Sequence, residues 1–208
     1  MMNNSIQVVS FEKIEKGKIR IRFEDGQSCI VYYSEIRGLH LKEGLYVSQE
    51  TYEKIFRDIV GKRAKKRAMH LLEKMDRTEQ QLREKLKLSE YPDRCIDDAI
   101  AYVKSFHYLD DERYAETFVR YKKDKMSRQQ MKQKLMMKGI AKEIIENAIR
   151  EEYDADESEH IRSILEKKHF VYDMAEEGEF RRVYNYLLRR GFCSSDILKE
   201  MKCVGADW

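Results

Sequence analysis

MKQKLMMKGIAKEIIENAI, residues 131–149, decides the fold. Met131 and Leu135 stand four residues apart, ten residues separate Leu135 from Ile145, and four more lead to Ile149. A pair at i and i+4 shares one face of a helix. The step of ten, with Gly139 inside it as a left-handed helix end, is a turn onto the matching face of a second helix. The same 4–10–4 spacing occurs at Leu82, Leu86, Ile96 and Ile100, and again at Val183, Leu187, Ile197 and Met201. The copies are offset by 49 and then 52 residues, and self-similarity at this period marks a repeat architecture. Repeat proteins present long surfaces to extended partners, which favours a binding protein over a pocket enzyme.

Each copy gains a further helix on its N-terminal side. In the first, KRAKKRAMHLLEKM puts Ala68, Leu71, Leu72 and Met75 on one face. Thr78 is an N-cap candidate for the next helix, and Pro92 suits the first turn of the third. In the second, Asp110 or Asp111 caps a helix carrying Tyr114, Ala115, Phe118 and Val119, and Ser127 caps the helix of Met131. In the third, a helix with Ile161, Ile164 and Leu165 begins near Asp156, and a longer connection around FVYDMAEEGE follows. Gly191 stands where Gly139 does, and Ser194 or Ser195 caps the last helix. The expectation is a mainly α fold of nine helices in three tandem triplets, at residues 62–108, 109–153 and 154–208. Triplets of about 45 residues are too small for robust independent cores, so they should pack on one another as an elongated, curved rod.

Residues 1–60 read differently. In KIRIRFEDGQSCIVYY, Ile19, Ile21 and Phe23 alternate with Lys18, Arg20 and Arg22, as in a strand with one buried face. Asp25-Gly26 predicts a two-residue type I′ hairpin turn. Ile6–Ile14 supplies a third strand, turned at Gly17, and a helix from near Ser48 covers the sheet with Tyr52, Ile55, Phe56 and Ile59. This small β-rich module reads as a capping or docking element, and Gly61 interrupts the helical pattern after it.

Composition agrees with exposed helices over modest cores: charged residues make up 38% of the 208, and Pro92 is the single proline. Cys29, Cys95, Cys193 and Cys203 form no CxxC pair and read as reduced thiols, mostly packing residues. No apolar run reaches the roughly 20 residues of a membrane span, and the N-terminus lacks a signal-peptide core. A cytoplasmic monomer is expected.

The net charge is only +3, but it is segregated. Five of the six residues 62–67 are basic: Lys62, Arg63, Lys65, Lys66 and Arg67. Residues 120–138 carry Arg120, Lys122, Lys123, Lys125, Arg128, Lys132, Lys134 and Lys138 against Asp124 alone. Residues 143–159 reverse the sign, with Glu143, Glu146, Glu151, Glu152, Asp154, Asp156, Glu157 and Glu159. Such blocks exceed what a solvated helix face needs. The basic ones fit DNA phosphates or a nucleoprotein filament, and the acidic one fits basic groups of a protein partner.

Chemistry is not indicated. Asp110-Asp111-Glu112 reads as a helix cap with first-turn acids, since neighbouring helical residues point about 100° apart and do not converge. The five histidines show no metal-ligand spacing, and no GxxxxGK[ST] or GxSxG signature is present. Met131, Met136 and Met137 read as core filler. No catalytic residue, metal or cofactor is expected.

From HYLDDERYAETFVRYKKDKMSRQQMKQKLMMKGI, the chain resembles the RecX family of RecA regulators. The resemblance rests on Tyr108, Leu109, Asp110, Asp111, Glu112, Arg113, Tyr114 and Ala115, continues through Phe118, Val119, Leu135, Gly139 and Ile140, and covers about residues 62–203. Lys125-Met126-Ser127 departs from the Lys-Gly turn frequent there. The resemblance implies a non-enzymatic protein of recombination, DNA repair and the SOS response. Such a protein lies along the groove of the RecA–single-stranded DNA filament and lowers its ATPase and strand-exchange activity. It would bind free single-stranded DNA weakly and without sequence preference. The expected contacts are Lys62, Arg63, Lys65, Lys66, Arg67, Arg120, Lys122, Lys123, Arg128 and Lys132. The alternative is a transcription regulator using one triplet as a DNA-binding helix-turn-helix. The acidic third helix around Glu143–Glu152 argues against that.

Overall fold

The computed structural model describes residues 5–154 and 156–203, which divide into two compact units, Met1–Asp110 and Asp111–Trp208. The first unit opens with an antiparallel sheet of β1 (Ser5–Lys13), β2 (Lys18–Phe23), β3 (Ser28–Tyr32) and β4 (Tyr46–Ser48), in the order β3-β2-β1-β4. Ile19, Ile21 and Phe23 of β2 and Cys29 and Val31 of β3 are buried, as the alternation requires. The hairpin turn differs from its expected form. Phe23 N–H donates to Gln27 O, so the loop is Glu24-Asp25-Gly26, and only Gly26 takes a positive φ, of 81°. A type I′ turn needs two such residues, whereas a three-residue loop needs one. The Asp25 carboxylate instead accepts from Gln27 N–H at 3.0 Å.

A short helix, α1 (Tyr33–Ile36), precedes β4. The helix α2 (Gln49–Glu53) is capped by Ser48, whose hydroxyl accepts from Thr51 N–H at 3.2 Å. It continues without a break through a π-helical stretch, Lys54–Gly61, into α3 (Lys62–Lys74). Tyr52 and Phe56 cover the sheet, their ring centroids 4.9 and 5.6 Å from that of Phe23. Gly61 therefore does not interrupt the helix but belongs to its wide turn. A Cβ there would lie 2.8 Å from the Phe56 carbonyl oxygen. That oxygen also accepts from the Cys95 thiol at 3.3 Å. Gly61→Ala should consequently destabilise the first unit by about 1–3 kcal/mol, read by denaturant unfolding. An unchanged midpoint would mean the wide turn yields freely.

The helices α4 (Glu79–Lys87) and α5 (Asp93–Ser105) complete the first triplet. A single apolar core runs from Val8 through Phe56 to Leu109, so sheet and triplet are built as one body. The second unit contains α6 (Asp111–Lys122), α7 (Arg128–Met137) and α8 (Lys142–Glu152), then α9 (Glu157–Lys167), α10 (Glu177–Arg189) and α11 (Ser194–Cys203). These two triplets hold separate cores, one around Met131 and Leu135, the other around Leu165, Phe170 and Leu187. Among the described residues the three triplets thus comprise nine helices, and the fold is mainly α with a small N-terminal sheet.

All twelve residues of the 4–10–4 pattern are buried, the most exposed being Ile149 at 7%. The triplets also share end devices. The first two middle helices start at Thr78 and Ser127, both fully buried, whose hydroxyls accept from Gln81 and Gln130 N–H, whereas the third starts at Glu176 without a side-chain cap. Each middle helix ends in a left-handed residue eight positions after its first pattern residue: Glu90 at φ 58°, Gly139 at 79° and Gly191 at 76°. Gly191 also lies where a Cβ would come within 2.9 Å of Gln129, and Ser127 donates to Arg190 O at 2.6 Å, so the second and third triplets meet there. Two expectations need correction. Met136 and Met137 are 58% and 84% exposed, leaving Met131 alone as core filler. Cys29 and Cys95 are buried but Cys193 and Cys203 are exposed.

Candidate functional site

The helix α3 buries Ala64, Ala68 and Leu71, which turns its basic residues outward. The structure divides them. Arg63 is engaged within the unit: it pairs with Glu35 at 2.7 Å, donates to Ile30 O, and lies 5.1 and 5.7 Å from the ring centroids of Tyr32 and Tyr91. It fastens the sheet to the first triplet. Lys62 approaches Asp58 at 3.7 Å while staying largely exposed. Lys65 sits over the Tyr102 ring at 5.4 Å. Lys66 and Arg67 are exposed and carry no ion pair among the described residues. They border a cleft of about 450 Å³ whose other walls include Tyr32 and Tyr91.

The second basic block is partly neutralised by the acidic block that follows it. Arg120 makes a two-pronged bond to Glu152, at 2.9 and 2.5 Å, and Lys123 pairs with Asp154 at 2.6 Å. The α6–α8 packing that brings the ends of these helices together is what aligns the pairs. The hydrogen bond from Arg120 holds the Glu152 carboxyl below the usual carboxylate range, and that from Lys123 does the same for Asp154. Arg128 stacks its guanidinium 4.8 Å from the Tyr153 ring centroid, and its backbone N–H donates to Glu157 at 2.7 Å. Glu152, Asp154 and Glu157 of the acidic block therefore have partners within the chain, as do Glu146 with Lys142 at 3.8 Å and Glu151 with Arg150 at 3.9 Å. Lys122 and Lys132 carry no ion pair among the described residues. Lys132, Arg128 and Arg150 line a cleft of about 550 Å³ between the second and third triplets.

The arrangement can hold anionic chains. Lys62, Lys65, Lys66 and Arg67 form one set on the first unit, and Lys122, Arg128 and Lys132 another on the second. Among the described residues no group of His, Cys, Asp or Glu has the geometry to hold a metal ion, and no helix is long and apolar enough to cross a membrane. Aromatic residues beside the cations went unread in the sequence: Tyr32 and Tyr91 around Arg63, and Tyr102 with Phe106 near Lys65. Periodicity gave no signal for Phe106, which stands three residues from the buried Val103 and is exposed because the helix ends at Ser105.

Comparison with known proteins agrees with this architecture. The chain matches the family description "RecX, first three-helix domain" over residues 64–103 and "RecX, second three-helix domain" over residues 110–149. It is 34% identical over 198 residues to regulatory protein RecX of Caldanaerobacter subterraneus, covering 94% of this chain and 96% of that one. It is 29% identical over 209 residues to the protein of the same name from Clostridium beijerinckii, covering 96% of both. In fold it resembles a crystal structure of regulatory protein RecX, with a TM-score of 0.62 at 21% identity over 93% of this chain and 99% of that one. It also resembles that of RecX from Lactobacillus salivarius, with a TM-score of 0.61 at 22% identity over 70% of this chain and 96% of that one.

Proposed function

The chain belongs to the RecX family, and from that premise we propose that it is a regulator that binds the RecA–single-stranded DNA filament and lowers its ATPase and strand-exchange activity. It works without catalysis, as a cytoplasmic monomer, and holds free single strands only weakly. The observation that carries this reading is the distribution of cations that carry no ion pair among the described residues. Lys66 and Arg67 lie on one triplet and Lys122 and Lys132 on the next, on helices whose opposite faces are sealed in cores. Cations spread over successive repeats suit a long polyanionic assembly. Affinity then comes from many weak contacts acting together.

The test is co-sedimentation of the full-length protein with three targets: RecA filaments on single-stranded DNA, the same strand alone, and duplex DNA. Retention on the filament at concentrations where neither DNA alone retains the protein is the expected result. A tight duplex site with indifference to RecA would replace this reading with the transcription-regulator one.

A further inference from the structure

Three aromatic rings lie in a row on the outside of the first unit. On α5, Tyr102 stands beside the buried Ala99, Ile100 and Val103, and Phe106 is the C-terminal cap just past the last helical residue, Ser105, where the helix ends and leaves its ring exposed. After the helix, His107 takes a left-handed φ of 57°, and the reversal returns Tyr108 beside Phe106. The rings are 38%, 56% and 50% exposed for Tyr102, Phe106 and Tyr108. Their centroids are separated by 5.0 and 6.3 Å, with the second pair close to parallel at 30°. The row continues to a cation, because the Lys65 ammonium sits 5.4 Å from the Tyr102 centroid. Lys65 has no carboxylate partner among the described residues, and Lys62 and Lys66 flank it on α3.

We propose that the row Tyr102, Phe106 and Tyr108 is a stacking platform for the unpaired bases of a single-stranded nucleic acid, with Lys65 at its end holding a backbone phosphate. Every base offers a π-face, so rings beside a cation bind single strands without reading sequence. The ring spacing exceeds the 3.4 Å rise of stacked bases, which suits bases splayed from an extended strand onto separate rings. A docking surface for a folded protein is depleted of charge at its centre, whereas this row ends in lysines. The proposal rests on the filament reading in that it locates where this chain touches the strand.

The test uses the full-length protein, fluorescent oligothymidylate, and an abasic strand of the same length. The wild type should bind oligothymidylate more tightly than the abasic strand. The double variant Phe106→Ala with Tyr108→Ala should lose at least about fivefold on oligothymidylate for each base that stacked. It should lose nothing on the abasic strand, and its salt slope should stay unchanged, since stacking releases no counterions. Tyr108→Phe, which keeps the ring, should bind as the wild type does, and unchanged circular dichroism certifies the fold of each variant. Equal losses on both strands, or none, overturn the proposal. So does a loss confined to the RecA filament with free-strand affinity intact, because the rings would then meet protein. Filament ATPase is measured on the same variants: if the wild type lowers it while showing no preference for bases, the platform fails and the filament reading stands.

Discussion

Leu135→Ala is expected to lower the stability of the second unit by about 2–5 kcal/mol, in denaturant unfolding followed by circular dichroism. Leu135 is fully buried in a core that, among the described residues, is built from the second triplet's own side chains, such as Met131, Ile145 and Ala148. A triplet of this size has few other apolar groups with which to close the cavity. The residue also makes the end of α7: its carbonyl accepts from the N–H groups of Lys138 and Ile140, either side of the left-handed Gly139. The substitution keeps those backbone bonds, so the loss measures packing. The first unit has its own core, and its transition should remain in place. A loss near zero, or one shared equally by both units, would contradict the separate cores described above.

Replacing Lys66, Arg67, Lys122 and Lys132 together by alanine is expected to weaken binding to single-stranded DNA across all sequences. The salt slope should flatten by about 0.7 for each phosphate contact removed, roughly three in all if each of the four is used. These side chains carry no ion pair among the described residues, so their replacement breaks none within the fold. The control is Arg120→Ala with Lys123→Ala. Those cations face Glu152 and Asp154, which the same control replaces by Gln and Asn so that the local charge stays balanced. The control should change the slope far less than the four-residue variant. Equal slopes for the two variants would mean that the paired cations exchange partners for phosphate, and that the internal pairing does not select the contacts.

The contrast between these variants shows what the sequence could and could not reveal. The 4–10–4 spacing located the cores because burial on a helix is periodic, and a one-dimensional period survives without knowledge of neighbours. Thr78 and Ser127 were legible as caps for the same reason: each acts on backbone groups within three residues. The strand β4 was not legible, because three residues are too few to display alternation. Its pairing with β1 is decided by residues some forty positions away. Gly61 looked like a break because an isolated glycine is weak helix material, yet a wide turn needs its missing Cβ. The charges were the least legible. A block count treats Arg63, Lys66, Arg120 and Lys122 alike, but Arg63 and Arg120 meet carboxylates 28 and 32 residues away. Because α6 and α8 pack on one another, cations of the basic block meet carboxylates of the acidic one. Part of the segregation that pointed to outside partners is thereby used inside the fold.

Hydrolysis of ATP by RecA filaments on single-stranded DNA, measured while the full-length protein is titrated in, tests the central claim most directly. The account predicts that hydrolysis falls as protein is added, and that the variant lacking Lys66, Arg67, Lys122 and Lys132 needs much more protein for the same fall. Hydrolysis unchanged at saturating protein would contradict it.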